Sequence, residues 1–189
     1  MNMTTTINMN MDKTRFNMIE QQIHPWEILN PIILNLLSEM KHEDFVPTKQ
    51  KLLTFANVYL PLNNNATMLE PKIEAHLLQE LGLKDTDRVL EISANNNYIA
   101  ALLATHTKFI TSIEIEPALI KMTHDNLQQT DVTNINIEQS NDLKNWTTKT
   151  PYNTIAISDT VTTIPDVLLQ QLHVGGQLVA IVGSLPSLS

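Results

Sequence analysis

RVLEIS at Arg88–Ser93, followed by ANNN and then by YIAALLA at residues 98–104, is the stretch on which the fold turns. A short apolar run reads as a buried strand, and the small-residue run after it as a helix. The alternation continues downstream. FITSIEI at 109–115 reads as a second strand and residues 117–129 as a second helix. NINIE at 134–138 and TIAIS at 154–158 read as the third and fourth strands, DVLLQQL at 166–172 as a helix, and GQLVAIV at 176–182 as the fifth strand. Strands separated by helices need crossover connections, which are right-handed and give a parallel sheet covered on both faces. The expected class is α/β with a doubly wound sheet.

Upstream of this core, Phe16, Ile19 and Ile23, then Ile32, Ile33, Leu36, Leu37 and Met40, recur at helical spacing. They predict helices over 12–22 and 31–40, interrupted at His24-Pro25 because the residue before a proline avoids the helical region. Residues 45–69 hold Pro47, Pro61 and the run Asn63, Asn64, Asn65, and read as mostly loop with one short strand. Pro71 opens a helix with Ile73, Leu77, Leu78 and Leu81 on one face, and Gly82 closes it. The first residues are polar and lack an apolar period, so 1–11 are expected to form a flexible tail. The expected division is this tail, a helical cap with a loop over 12–82, and a sheet core over 83–189.

Composition narrows the chemistry. A chain of 189 residues is one domain's worth. Twelve Lys plus Arg against 20 Asp plus Glu give a net charge of −8, which repels phosphate backbones, so no nucleic-acid partner is expected. The chain has no cysteine, which excludes disulfides, thiolate metal ligands and thiol nucleophiles. No apolar run approaches the roughly 18 residues of a membrane span, and a cytoplasmic, non-membrane location is expected. Six histidines occur, none spaced to ligate a metal with another, and no GxSxG or GxxxxGK[ST] run appears. Trp26 and Trp146 read as packing residues.

In an open parallel sheet, ligands bind beyond the carboxyl ends of the strands, beside the loop leaving the first strand. That loop runs Ser93, Ala94, Asn95, Asn96, Asn97 and leads into a helix N-terminus suited to negative ligand groups. The second strand ends in Glu114 and Glu116, roughly 20 residues on, where an acidic side chain can accept hydrogen bonds from the two hydroxyls of a ribose.

LEISANNNY at 90–98 resembles LEIGTGSGY, the first motif of S-adenosylmethionine-dependent methyltransferases, and specifically that of protein-L-isoaspartate O-methyltransferases. MIEQQI at 18–23, EDFVP at 43–47, LPL at 60–62, MLEPK at 68–72, SIEIEPALI at 112–120 and GGQLVAIVG at 175–183 follow in that family's order and spacing. The chain looks most similar to the bacterial isoaspartate methyltransferase-like branch. The resemblance implies a Rossmann-like class I methyltransferase fold, a seven-stranded sheet with a helical N-terminal cap, here without its C-terminal strand pair. It implies S-adenosylmethionine as cofactor, held by Glu91, Ser93, Ala94, Asn95, Asn97 and Glu114, with Ser140 and Asn141 bordering adenine. The implied reaction transfers a methyl group to an isoaspartyl carboxylate of a damaged protein or peptide, without a metal.

The departures from the family pattern fall on its loops. Ser93, Asn95 and Asn97 stand where the motif has glycine, so side chains are expected to crowd the cofactor pocket while sparing the scaffold. Where the family has QTISQP, this chain has ATMLEP at 66–71; Leu69 replaces the serine, and Thr67 is the expected substrate contact. The strand from Gln177 to Val182 is expected at an exposed sheet edge, a template for homodimerisation. Two functional readings follow: an isoaspartate-type methyltransferase, or a noncatalytic relative that binds a peptide or protein partner.

Overall fold

A computed structural model describes residues 3–62, 67–93, 97–140, 142, 146–147 and 151–183. Helix α1 (Met3–Met18) runs into a π-helical turn, Ile19–Ile23, and a short 3-10 turn, His24–Trp26. Helix α2 (Pro31–Glu39) starts with proline in its first turn, and the Asn30 side chain caps it by accepting from the Ile32 N–H at 2.9 Å. Three 3-10 turns lead to a two-strand hairpin, β1 (Leu60–Pro61) and β2 (Thr67–Met68). Helix α3 (Pro71–Glu80) ends at Gly82, which takes a φ of +50°. The core then alternates β3 (Arg88–Ser93), α4 (Tyr98–His106), β4 (Phe109–Glu114), a 3-10 turn and α5 (Ile120–Leu127), β5 (Ile135–Gln139), β6 (Tyr152–Val161), α6 (Asp166–Leu169) and β7 (Leu172–Val182).

The five core strands form one parallel sheet in the order β5-β4-β3-β6-β7. The chain leaves β3 in one direction through β4 and β5, then returns to the other side through β6 and β7. The reversal of strand order lies between β3 and β6, which makes the sheet doubly wound. Side chains alternate across it. Val89, Ile110 and Ala156 join the cluster built from α3, α4 and the N-terminal cap, whereas Leu90, Ile92, Ile113, Ile155 and Ile157 pack on the opposite face with Leu168 of α6. Trp146 packs at the margin of that second cluster.

The structure departs from the expectations in four places. The helix expected from residue 12 begins at Met3, the preceding stretch having neither Gly nor Pro to break it. Phe16 is 61% exposed and Ile32 44% exposed instead of lying on apolar faces. The buried stripe of α1 and its π-turn is Arg15, Met18, Ile19 and Ile23, and Arg15 can lie in it because its guanidinium pairs with the equally buried Glu43. The helix expected over 166–172 stops at Leu169, since Leu172 already pairs with Tyr152 as the first residue of a longer β7. The helix expected over 117–129 is a 3-10 turn followed by the shorter α5.

Candidate functional site

On the sheet face that carries α4, the side chains change character along each strand. Val89 and Ile110 are apolar and packed, but the next same-face positions are Glu91 and Ser93 on β3 and Ser112 and Glu114 on β4, and on β6 Ala156 is followed by Ser158. The carboxyl-terminal half of this face is therefore polar, and all five of these polar side chains are fully buried. Such groups are tolerated in a dry interior only when hydrogen-bonded.

Parallel pairing sets Glu91 opposite Ser112 and Ser93 opposite Glu114. Ser112 Oγ lies 2.5 Å from Glu91 Oε2, and the Ser158 hydroxyl reaches Glu91 Oε1. Burial pushes the Glu91 carboxyl up to about 7, and the hydrogen bonds from Ser112, Ser158 and Ser93 oppose the shift without cancelling it. Glu114 is also raised to about 7 by burial, against hydrogen bonds from the Glu116 N–H, 2.9 Å from Oε1, and from Asn97 Nδ2, 3.2 Å from Oε2.

Asn97 joins these two carboxyls. It is the residue before α4 and takes a left-handed conformation, φ +59° and ψ +21°, which asparagine tolerates better than other side-chain-bearing residues. Its carbonyl accepts from the Ala101 N–H at 3.1 Å. Its side chain is fully buried and points below the strand ends: Oδ1 lies 3.1 Å from Ser112 Oγ, and Nδ2 donates to Glu114 and to Thr123 of α5. Ser93 is likewise turned into the interior. At these two positions the side chains turn into the interior toward polar partners.

The other expected site residues divide as follows. Ser140 follows β5, and its N–H donates to the Glu114 backbone carbonyl at 3.2 Å, which sets it beside the end of β4. Thr67 lies in β2, paired with Pro61, and among the described residues it is not part of the Glu91 to Glu114 network. Ala94, Asn95 and Asn141 lie outside the described residues. Ser112, Ser158 and Thr123 were not expected. The two serines share strand parity with Glu91, Ser93 and Glu114 once the sheet is aligned, whereas Thr123 carries no such signal. Tyr98, next to Asn97, stacks on His42 at 4.2 Å and edge-on to Phe45 at 5.2 Å, and its hydroxyl donates to the Met40 carbonyl at 3.2 Å.

Residues 13–187 match the family described as protein-L-isoaspartate(D-aspartate) O-methyltransferase. The chain is 31% identical over 161 residues to protein-L-isoaspartate O-methyltransferase 1 of Geotalea uraniireducens, covering 85% of this chain and 74% of that protein. It is 31% identical over 170 residues to the like-named protein of Rhodopseudomonas palustris, covering 90% and 69%. In three dimensions it is similar to a crystal structure of a protein-L-isoaspartate O-methyltransferase from Plasmodium falciparum in complex with S-adenosyl-L-homocysteine. That match has a TM-score of 0.75 at 12% identity and covers 92% of this chain and 84% of the other, a likeness of fold.

Proposed function

The chain belongs to the protein-L-isoaspartate(D-aspartate) O-methyltransferase family, and we propose that it methylates the carboxylate of an isoaspartyl residue in a damaged protein or peptide, with S-adenosylmethionine as donor. The observation that carries this reading is Glu114. It ends β4 beside the loop that leaves β3, and backbone and side-chain N–H groups hold both of its oxygens. A carboxylate offers about four acceptor positions, more than the Glu116, Asn97 and Ile115 N–H groups occupy, so it can still accept from a ribose hydroxyl. The inward turn of Asn97 and Ser93 is compatible with a nucleoside above the strand ends.

When bound, the cofactor supplies an electrophilic methyl group on a sulfonium. Glu114 would hold its ribose and Ser140 would border its base, while Glu91, clamped by serines from both neighbouring strands, would fix the floor beneath. The methyl acceptor is already an anion, so the chain's contribution is to orient and desolvate it rather than to move a proton. Thr67 in the hairpin is the proposed substrate contact, with Ala94, Asn95 and Asn141 as further cofactor contacts. Cap and core, residues 12–82 and 83–189, would work as one unit.

Calorimetric titration with S-adenosylhomocysteine, paired with methyl transfer to an isoaspartyl peptide, tests this. Binding and turnover are expected, and a chain that keeps only a partner-binding role would show neither. The sheet order leaves β7 at an edge, with Leu178, Val179, Ala180 and Ile181 half-buried. The proposed assembly is a homodimer through Gln177 to Val182, which sedimentation would reveal. Among the described residues no helix is long and apolar enough to cross a membrane, and the proposed location is the cytoplasm.

A further inference from the structure

We propose that Asn97 is a positioning residue that aims the Glu114 carboxylate at the vicinal hydroxyls of the cofactor's ribose, doing through its side-chain amide what a glycine at this site cannot do. The inference deepens the methyltransferase reading and rests on it.

Two requirements meet at this position. The backbone turn into α4 needs a left-handed residue, which restricts the choice mainly to glycine, asparagine and aspartate. The buried space beneath holds two oxygens that can accept an N–H, Glu114 Oε2 and Thr123 Oγ1, and the Ser112 hydroxyl, which can donate into it. Glycine fits the turn and supplies neither. Aspartate fits the turn but sets a second carboxylate against Glu114. Asparagine satisfies both requirements, with its two amide hydrogens directed at Glu114 and Thr123 and its oxygen at Ser112.

The hydrogen count gives the network a direction. Ser112 has one proton and two acceptors within reach, Glu91 at 2.5 Å and Asn97 Oδ1 at 3.1 Å. When Glu91 is protonated it donates to Ser112, Ser112 donates to Asn97, and the amide then faces its N–H groups toward Glu114 and Thr123. The Thr123 contact braces the amide against α5 and keeps it from turning. Glu114 is thus held by Asn97 on one oxygen and by the Glu116 N–H on the other, so its orientation is fixed before a ligand arrives.

The test compares two ligands on the full chain: S-adenosylhomocysteine and its analogue lacking both ribose hydroxyls. Asn97→Gly should bind S-adenosylhomocysteine ten- to a hundredfold more weakly, about the effect of losing one hydrogen bond to a charged group, while its affinity for the dideoxy analogue stays at the wild-type value. Thr123→Val, which leaves the turn untouched, should show the same selective loss to a smaller degree. Asn97→Asp should bind poorly at pH 8 and recover as the pH falls and the new carboxyl becomes a donor. Equal losses for both ligands would make Asn97 merely structural, and unchanged or tighter S-adenosylhomocysteine binding by Asn97→Gly would make it an obstruction; either overturns the proposal and leaves the methyltransferase reading intact. A wild-type chain that binds no S-adenosylhomocysteine overturns both.

Discussion

Glu91 and Ser112 stand directly opposite each other across the β3–β4 pair, with the serine oxygen 2.5 Å from the carboxyl and both side chains fully buried. A carboxyl in that setting keeps its proton to a higher pH than it would in water, because ionisation would place a charge where water cannot reach it. The serines make the site tolerable without making it ionic.

The first prediction follows from linkage. Glu91 and Glu114 titrate near 7 in the folded chain against an ordinary value of 4.5. A carboxyl raised in this way binds more protons folded than unfolded, so its contribution to stability is complete below pH 4.5 and is lost as the pH rises through about 7. Denaturant midpoints should fall between pH 5 and pH 8, and Glu91→Gln, which keeps the shape and a donor for Ser112, should flatten that decline.

The second concerns Glu114 itself. Glu114→Ala removes the acceptor of the Asn97 amide along with the proposed ribose contact, so S-adenosylhomocysteine affinity should drop by at least about tenfold. Calorimetry at one pH, with thermal unfolding in parallel, separates lost binding from lost folding.

The third tests the cap. Arg15 and Glu43 are 5% and 2% exposed and pair with each other, and Arg15 also reaches Asp12 at 3.1 Å and the Ser38 carbonyl at 3.4 Å. Removing Glu43 leaves the buried guanidinium to the Asp12 and Ser38 contacts, so Glu43→Ala should destabilise the chain by about 1.5–3 kcal/mol in urea unfolding. Phe16→Ser, one position off that buried stripe, should change stability by no more than about 0.5 kcal/mol.

The fourth concerns the interior of β7. A Cβ at Gly176 would stand 2.8 Å from the Asn153 carbonyl oxygen and 3.0 Å from that of His173, both backbone atoms that cannot swing aside. Gly176→Ala should cost about 1–3 kcal/mol by overpacking, read from the unfolding midpoint.

Much of this architecture was legible in the residues. RVLEIS, FITSIE and TIAIS announce strands because each is a short apolar run, and the helices between them force parallel pairing. Glu114 was legible as well, from its place at the end of the second strand. Asn97 was visible as a side chain where the motif has glycine, but its partners were not: the register of β3 on β4 brings Ser112 and Glu114 to it, and Thr123 comes from α5. The burial of Arg15 was hidden for a related reason. Helical periodicity ranks a cation as a surface residue, and its partner Glu43 lies 28 positions away.

Tyr98 gives the cap a hold on the start of α4. Wedged between the His42 and Phe45 rings and tethered to the Met40 carbonyl, it clamps the exit of the very turn that Asn97 begins. The proposed nucleoside end of the molecule is thereby tied to the cap, and a lesion that loosens residues 40–45 should be felt at Asn97 through Tyr98.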